Sequence, residues 1–179
     1  MTELPSGLSA RVAELRLAFD RSFAERPTPD TTVSEDLLAI RLGGEPSAFR
    51  LAETTGLFVD KKITPMPGGS HGLLGIAGFR GVIVPVYDLQ AIIGYPAART
   101  PRWLVMMAAA PVALAFEAFE GHLRLLRDAI LPRDASEQAR KYLHEFAQTG
   151  GFVRSIVHLT AVLDAIRAQA RVASPKEER

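Results

Sequence analysis

The sequence predicts a mainly-β protein built from small barrels, with an extra helix at each end. Short apolar runs follow one another through most of the chain, and Gly or Pro residues separate them. Helical patterns do not alternate regularly with these runs. A doubly wound α/β fold is therefore disfavoured, because it needs a long helix after almost every strand.

The composition excludes several classes of protein. Lys and Arg number 21 and Asp and Glu number 20, and this balance creates no field that would recruit nucleic acid or an anionic membrane. There is no cysteine, so disulfides, thiolate nucleophiles and cysteine-bound zinc are excluded. The longest uncharged apolar stretch, Trp103 to Phe116, is too short to cross a bilayer, and the N-terminus has no signal-peptide pattern. We therefore expect a soluble, cytoplasmic protein without direct membrane insertion.

Residues 1–33 are predicted to form an amphipathic helix and a linker. Pro27 and Pro29 end the helix, and the linker that follows is rich in Pro, Thr and acids. An isolated helix of this length is marginal in water, so its apolar face is expected to be buried on the chain's own barrels or on a partner. That face carries Leu8, Val12, Leu15, Phe19 and Phe23.

The first group of strands begins near Leu37. The run "LLAIRLGGEPSAFRL" predicts a hairpin about Gly43-Gly44, and "TGLFVD" predicts a further strand. After a Pro/Gly loop, "LLGIAGFRGVIVPVYDL" is apolar on both faces and broken by glycines. Glycine weakens a strand unless a bend or a close backbone contact requires it, so a sharply curved barrel is predicted, with bends at Gly75, Gly78 and Gly81.

Asp88 is predicted to cap the N-terminus of a short helical turn, which Gly94 ends. Residues 102–108 and 112–119 then predict a second hairpin about a tight Ala-Ala-Pro turn. Residues 122–131 are ambiguous, because their leucine content suits a strand and the spacing of the leucines suits a helix. From Ala135 the chain is predicted to start as a helix and to become a strand near Tyr142, with a hairpin about the Thr-Gly-Gly at 149–151 as the alternative.

A closing helix is predicted over "LTAVLDAIRAQARVA", from Leu159 to Ala173. The core domain is assigned to residues 34–168, and residues 169–179 are assigned to a solvated tail.

The sequence offers little support for catalysis. Gly78 to Gly81 lead into β-branched residues rather than a helix, and no Lys-Ser or Lys-Thr pair follows, so a phosphate loop is disfavoured. Glu120 and His122 would share one face of a strand and could approach a metal, but further ligands are missing nearby. No nucleophile elbow is present. We expect no enzymatic activity and no cofactor.

The stretch from Leu37 to Asp88 resembles the CheW-like adaptor domain of bacterial chemosensory systems. The resemblance lies in a Leu-Gly turn, an Ile-Thr-Pro-x-Pro loop and a spaced Leu-x-Gly … Arg-Gly-x-Ile-x-Pro-x-x-Asp-Leu pattern. This chain matches them with Leu42-Gly43, Ile63 to Pro67, Leu73, Gly75, Arg80-Gly81, Ile83, Pro85 and Asp88-Leu89. A weaker match continues through the second half, so that the resemblance covers about residues 34–168.

The resemblance implies two small five-stranded β-barrel-like subdomains around a shared core, without catalysis. It also implies binding to the regulatory domain of a CheA-type histidine kinase and to the cytoplasmic tip of chemoreceptors. Arg80 falls at an arginine that the family uses near its receptor groove. The protein-binding residues carried over or placed beside it are Arg80, Phe79, Gly81, Thr54, Gly56 and Asp88.

The chain departs from the family pattern at three places, one of which is the apolar strand of the second subdomain, which ends at Phe116-Glu117 where the family usually has Val-Asp. Gly78-Phe79 replaces an Asn-Leu pair, and Gly56 stands where well-studied members carry an acid able to pair with the arginine. Kinase binding is therefore expected more firmly than receptor binding. The alternatives are a divergent CheW-like module for another output, such as pilus motility, and a small-barrel ligand-binding protein or enzyme.

Overall fold

The computed structural model describes residues 11, 16, 33–67, 70–96, 101–132, 141–149 and 151–173, with residues 172 and 173 described by their backbone alone. The chain divides into units of residues 1–33 and 34–179. In the second unit the described residues form β1 Ser34–Leu42, β2 Glu45–Arg50, β3 Thr54–Val59, β4 Leu73–Phe79, β5 Val82–Asp88, α1 Leu89–Ile93, β6 Trp103–Met107, β7 Ala113–Phe116, β8 Ala118–Leu126, β9 Ile130–Pro132, β10 Glu145–Thr149, β11 Phe152–Ile156 and α2 Leu159–Ala173.

One sheet has six strands in the order β8-β1-β2-β11-β10-β9. Its two edge strands, β8 and β9, are joined by a single 3-10 turn at Arg127–Ala129. So short a connection cannot span a flat six-stranded sheet, because neighbouring strands lie about 4.8 Å apart and each residue reaches about 3.3 Å. The sheet is therefore rolled into a small barrel. Its strands surround a core of their own, made by Leu37, Ala48, Ala147 and Ile156 with Leu123, Leu125 and Ile130 at its margin.

The other sheet has five strands in the order β3-β6-β7-β5-β4. Its edge strands β3 and β4 meet through Phe58 and Phe79, whose ring centroids lie 4.7 Å apart in an edge-on arrangement. This sheet also encloses its own core, which contains Ala77, Phe79, Val84, Val86, Leu104, Ala113 and Ala115. The five-stranded sheet is thus a second small barrel, and its strands are contiguous in the sequence.

A third and larger core joins the two barrels. Strands of both sheets contribute to it, and the two helices cover it. Its fully buried members include Leu42, Phe49, Leu114, Phe116 and Leu159. Phe49 of the six-stranded barrel and Phe116 of the five-stranded barrel make an edge-on ring contact at 5.7 Å. Burial of this apolar surface fixes the barrels against each other as one unit.

The mainly-β, two-subdomain prediction is confirmed, and one sheet carries six strands because the three-residue β9 adds to β10. The two predicted hairpins form β1–β2 and β6–β7, and β4 and β5 form a further hairpin. The ambiguous run after residue 122 belongs to β8 up to Leu126 and then to a 3-10 turn and β9. Thr149 pairs with Phe152 at the end of the β10–β11 hairpin, so the alternative of a hairpin about residues 149–151 is confirmed.

The predicted helix after Ala135 falls on residues 133–140, which lie outside the described residues. In the first unit Arg11 and Arg16 are helical and exposed, and the predicted apolar face from Leu8 to Phe23 lies outside the described residues. The closing helix α2 spans Leu159–Ala173, as predicted. Within the described part of the chain, no helix is both long and apolar enough to cross a membrane.

Candidate protein-binding site

The candidate site centres on the turn between β4 and β5. Phe79 pairs with Val82, so Arg80 and Gly81 alone form the loop. Their φ angles are +48° and +85°, which matches a type I′ turn. Arg80 is exposed, and it has no hydrogen-bond or ion-pair partner among the residues that the structure describes. A positive φ is costly for a side chain of this size, and such strain is concentrated at functional sites.

Phe79 holds this turn onto the barrel. Its side chain is only 4% exposed and packs edge-on against Phe58. Lys61 lies over both rings, with Nζ 5.7 Å from each centroid. Phe79 therefore positions Arg80 from below, and its own surface is not available to a partner.

Two aliphatic side chains beside the turn are unusually exposed. Ile83 is 70% exposed and Val82 is 54% exposed. Ile83 lies directly opposite Gly78 in the β4–β5 ladder, and nothing lies within 4 Å of where a Cβ on Gly78 would be. Ile83 is uncovered because the residue across from it has no side chain. Sequence analysis missed this feature, although pairing the two strands about Arg80-Gly81 would have placed Gly78 opposite Ile83.

The remaining predicted site residues lie at increasing distances along the strands. Gly56 is on β3, where a Cβ would meet the ring of Phe58 at 2.9 Å, so it is linked to the turn through Phe58. Thr54 begins β3 at a register shift, and its hydroxyl donates to the carbonyl of Leu51 at 2.8 Å. Asp88 is at the far end of β5 and is 1% exposed.

Asp88 is the N-cap of α1. Its Oδ1 accepts hydrogen bonds from the backbone N–H of Gln90 at 2.9 Å and of Ala91 at 3.3 Å. Gly94, at φ +95°, ends the helix. The predicted capping role is confirmed, and burial prevents Asp88 from offering its side chain to a partner.

The three glycines expected to bend the barrel differ in what they do. Gly75 lies at a register shift, packed against the backbone of Thr64 and Pro65. Gly81 supplies the second left-handed residue of the turn. Gly78 has neither a positive φ nor a close neighbour, so it makes no bend. None of them precedes a helix, which leaves no phosphate loop in this hairpin.

Glu120 and His122, which could have approached a common metal, bind different side chains instead. Glu120 is the extra residue of a bulge in β8, because Gly121 pairs with Ala39 and Phe119 with Ile40. Its carboxylate accepts hydrogen bonds from Arg41 and Arg154. His122 instead lies 2.9 Å from Asp36. Within the described residues there is no group of three side chains able to hold a metal.

Two charged clusters lie toward opposite ends of β1 in the six-stranded barrel. Arg41, Glu120 and Arg154 form one, and Arg50 with Glu35 and Glu145 forms the other. Burial alone would raise the pKa of Glu120, but the hydrogen bonds from Arg154 and Arg41 outweigh it and lower that pKa below its ordinary value. Burial also acts to raise the pKa of Glu145. The hydrogen bond and charge of Arg50 outweigh it and lower that pKa below its ordinary value.

Residues 36–167 match the family model of the CheW-like domain, which covers both barrels and most of α2. The chain belongs to the CheW-like domain family. Among solved structures, this CheW-like domain is similar to the scaffolding protein TtCheW from Thermoanaerobacter tengcongensis, with a TM-score of 0.64 and 18% identity over 70% of this chain and 90% of that one. No curated protein matches the sequence significantly. At that identity the structural likeness establishes the fold of the CheW-like domain.

Proposed function

We propose that this CheW-like protein is a non-catalytic cytoplasmic adaptor that couples chemoreceptors to a CheA-type histidine kinase. The family match over residues 36–167 supports the adaptor class, and the similar solved structure is described as a scaffolding protein. The observation that carries the proposal is Arg80. An arginine is presented to solvent by a strained turn, beside exposed aliphatic side chains and without a partner in the described part of the chain.

This arrangement suits binding better than stability. An exposed arginine at positive φ adds nothing to the core and weakens the turn that carries it. Arginine is enriched at interfaces, because its planar group donates several hydrogen bonds at once. The buried Phe79 beneath it anchors the backbone of the turn, so only the Arg80 side chain has to be ordered when a partner binds.

The titratable groups of the described residues support a non-catalytic role. Glu120 and Glu145 are engaged by arginines, Asp60 by Arg102, and Asp88 by the first turn of α1. Burial acts to raise the pKa of Glu120 and Glu145, but the hydrogen bonds from arginine stabilise the charged form and lower it, and the hydrogen bond from Arg102 lowers the pKa of Asp60. A general acid or base instead needs a pKa shifted toward neutrality.

The test is assembly of the full chain with a cognate kinase regulatory domain and a receptor cytoplasmic-tip fragment, followed by isothermal titration calorimetry. Wild-type protein is expected to bind, and Arg80→Glu to weaken binding by about tenfold or more with an unchanged circular-dichroism spectrum. Arg124→Glu, an exposed arginine on β8, is the matched control and should bind as wild type. Equal affinity of Arg80→Glu and wild type for both partners would refute the proposal.

A further inference from the structure

The chain crosses between the two barrels at two places. β2 of the six-stranded barrel leads into β3 of the five-stranded barrel through the 3-10 turn Leu51–Glu53, and β7 returns to β8 through Glu117 alone. Among the strands that the structure describes, these are the only crossings. Each crossing therefore carries a glutamate between the barrels.

Glu117 bonds to one element of each barrel. Its Oε2 accepts a hydrogen bond of 3.2 Å from the backbone N–H of Gly44, in the β1–β2 turn of the six-stranded barrel. The same oxygen accepts a second bond of 3.2 Å from Nε2 of Gln90, in the helix α1 that follows β5 of the five-stranded barrel. A Cβ on Gly43 would lie 2.8 Å from the ring of Tyr95, so the turn also packs closely against the end of α1. Glu117 thus ties the turn of one barrel to the helix of the other.

Glu53 makes the same kind of connection at the other crossing. Its backbone carbonyl accepts a hydrogen bond of 2.9 Å from the N–H of Ala108, which follows β6 of the five-stranded barrel. Its Oε2 accepts one of 3.3 Å from the N–H of Leu159, which begins α2 after β11 of the six-stranded barrel. A carboxylate is favoured there because the N-terminus of a helix carries partial positive charge. Glu53 therefore also bonds to one element of each barrel.

These bonds supply what the core between the barrels lacks. The core is apolar, and apolar attraction has no preferred direction, so packed elements are able to slide past one another by small amounts. Hydrogen bonds are directional, and those to a charged acceptor are stronger than neutral ones. Within the described part of the chain, neither Glu53 nor Glu117 forms an ion pair, so both carboxylates serve these bonds.

We propose that Glu53 and Glu117 are a pair of clasps that fix the angle between the two barrels, and that release of Glu117 lets the barrels shear across their shared core. Glu117 is the releasable clasp because its side chain is exposed, whereas Glu53 is half-buried. A partner that contacts both barrels at once meets one fixed arrangement while the clasps are closed. The inference goes beyond the proposed function, because it concerns the chain itself and holds whatever protein binds.

The absence of cysteine makes a direct test possible, because two spin labels can be attached at chosen positions of the full-length chain. Val59→Cys on β3 and Val153→Cys on β11 place one label on each barrel, at side chains that are 46% and 56% exposed. Double electron–electron resonance then measures the distance between the barrels. With Glu117 in place, one narrow distance distribution is expected. Glu117→Ala should make it at least about twofold wider, with an unchanged circular-dichroism spectrum.

Two further variants separate the clasp from a general loss of stability. Glu117→Gln keeps an oxygen acceptor in the same place and should keep the distribution narrow. Glu45→Ala is the matched control, because Glu45 is an exposed glutamate beside the same turn without an ion pair in the described part of the chain. It should leave the distribution as in wild type. Amide hydrogen exchange at Gly44 should be at least about tenfold faster in Glu117→Ala, because its acceptor is lost.

An unchanged distance distribution in Glu117→Ala overturns the proposal, even with faster exchange at Gly44, because the apolar core alone would then set the angle. Equal widening by Glu45→Ala also overturns it, since the effect would not depend on the clasp. If Glu117→Ala does not fold, Glu117→Asp gives the same comparison, because its carboxylate is one methylene too short to reach both donors. A narrow distribution in a folded Glu117→Asp variant would likewise reject the clasp.

Discussion

Gly75 and Thr64 lie so close together that no side chain fits between them. A Cβ on Gly75 would also fall 2.9 Å from the Cα of Pro65, and the φ of Gly75 is +143°. The close approach lets Thr64 bond to Ile76 and holds the segment after β3 against β4. The glycine is therefore required by the contact between two backbones.

We predict that Gly75→Ala destabilises the protein by about 2–4 kcal/mol, since the bridge must open or β4 must move. Gly78→Ala is the matched control three residues away, with no close neighbour and no positive φ. It should be neutral or stabilise by up to about 1 kcal/mol. Urea denaturation of both variants measures the difference, and equal losses would contradict this account of Gly75.

Arg80→Asn is expected to stabilise the fold and weaken binding. Asparagine followed by glycine is the preferred pair in a type I′ turn, and it tolerates positive φ better than arginine. The gain should be about 1 kcal/mol, read as a higher urea midpoint. Affinity for kinase or receptor fragments should fall. A variant that gains no stability would show that the turn is not strained at Arg80.

Gly81→Val should cost about 1–3 kcal/mol, because the φ of +85° is closed to a β-branched residue. Nothing lies within 4 Å of the missing Cβ, so a clash would not explain the loss. Gly81→Asn should therefore cost clearly less than Gly81→Val in thermal melts. Similar losses for the two substitutions would instead indicate a steric cause.

Stability is expected to fall on acidification through Glu120 and Glu145. Both carboxyls have a pKa below their ordinary value of 4.5 in the folded state. Their contribution to the free energy of unfolding is complete above the pKa of the unfolded state, and it is lost as the pH falls through the lower pKa of the folded state. Glu120→Gln should cost about 1–2 kcal/mol at neutral pH and make the acid-dependent loss shallower.

The control is Glu45→Gln, an exposed glutamate on β2 that has no ion pair within the described part of the chain. In urea denaturation at neutral pH and below pH 4.5, this variant should lose as much stability on acidification as wild type does. If the stability of Glu120→Gln depends on pH as that of wild type does, the Arg41–Glu120–Arg154 cluster does not contribute to the pH dependence of the free energy of unfolding.

The sequence was sufficient where structure is local. Gly43-Gly44 forces a hairpin turn, and Asp88 followed by a short apolar run caps a helical turn, because each device acts within a few residues. The run from Leu123 to Ile130 contains both a strand spacing and a helix spacing, and only the pairing of β8 with β1 decides between them.

The site was predictable only in part, because local sequence patterns do not show which distant segments pair. Arg80 follows from a family resemblance, and its turn follows from Arg-Gly between apolar runs. The approach of Lys61 and Lys62 depends on the chain doubling back along β4, which a single long-range bridge at Thr64 establishes. No periodicity in the sequence encodes that bridge, nor the bulge that turns Glu120 toward Arg154.

The order in which the two barrels receive their strands has a consequence during translation. The five-stranded barrel is complete once Phe116 has been made, whereas the six-stranded barrel needs Ser155 to pair with Ser47. Ribosomes add about 5–20 residues per second, so the β1–β2 hairpin, complete at Arg50, waits roughly 5–21 seconds until Ser155 has been made. It is apolar on both faces during that interval. In the nascent chain this hairpin is therefore the segment most in need of a chaperone.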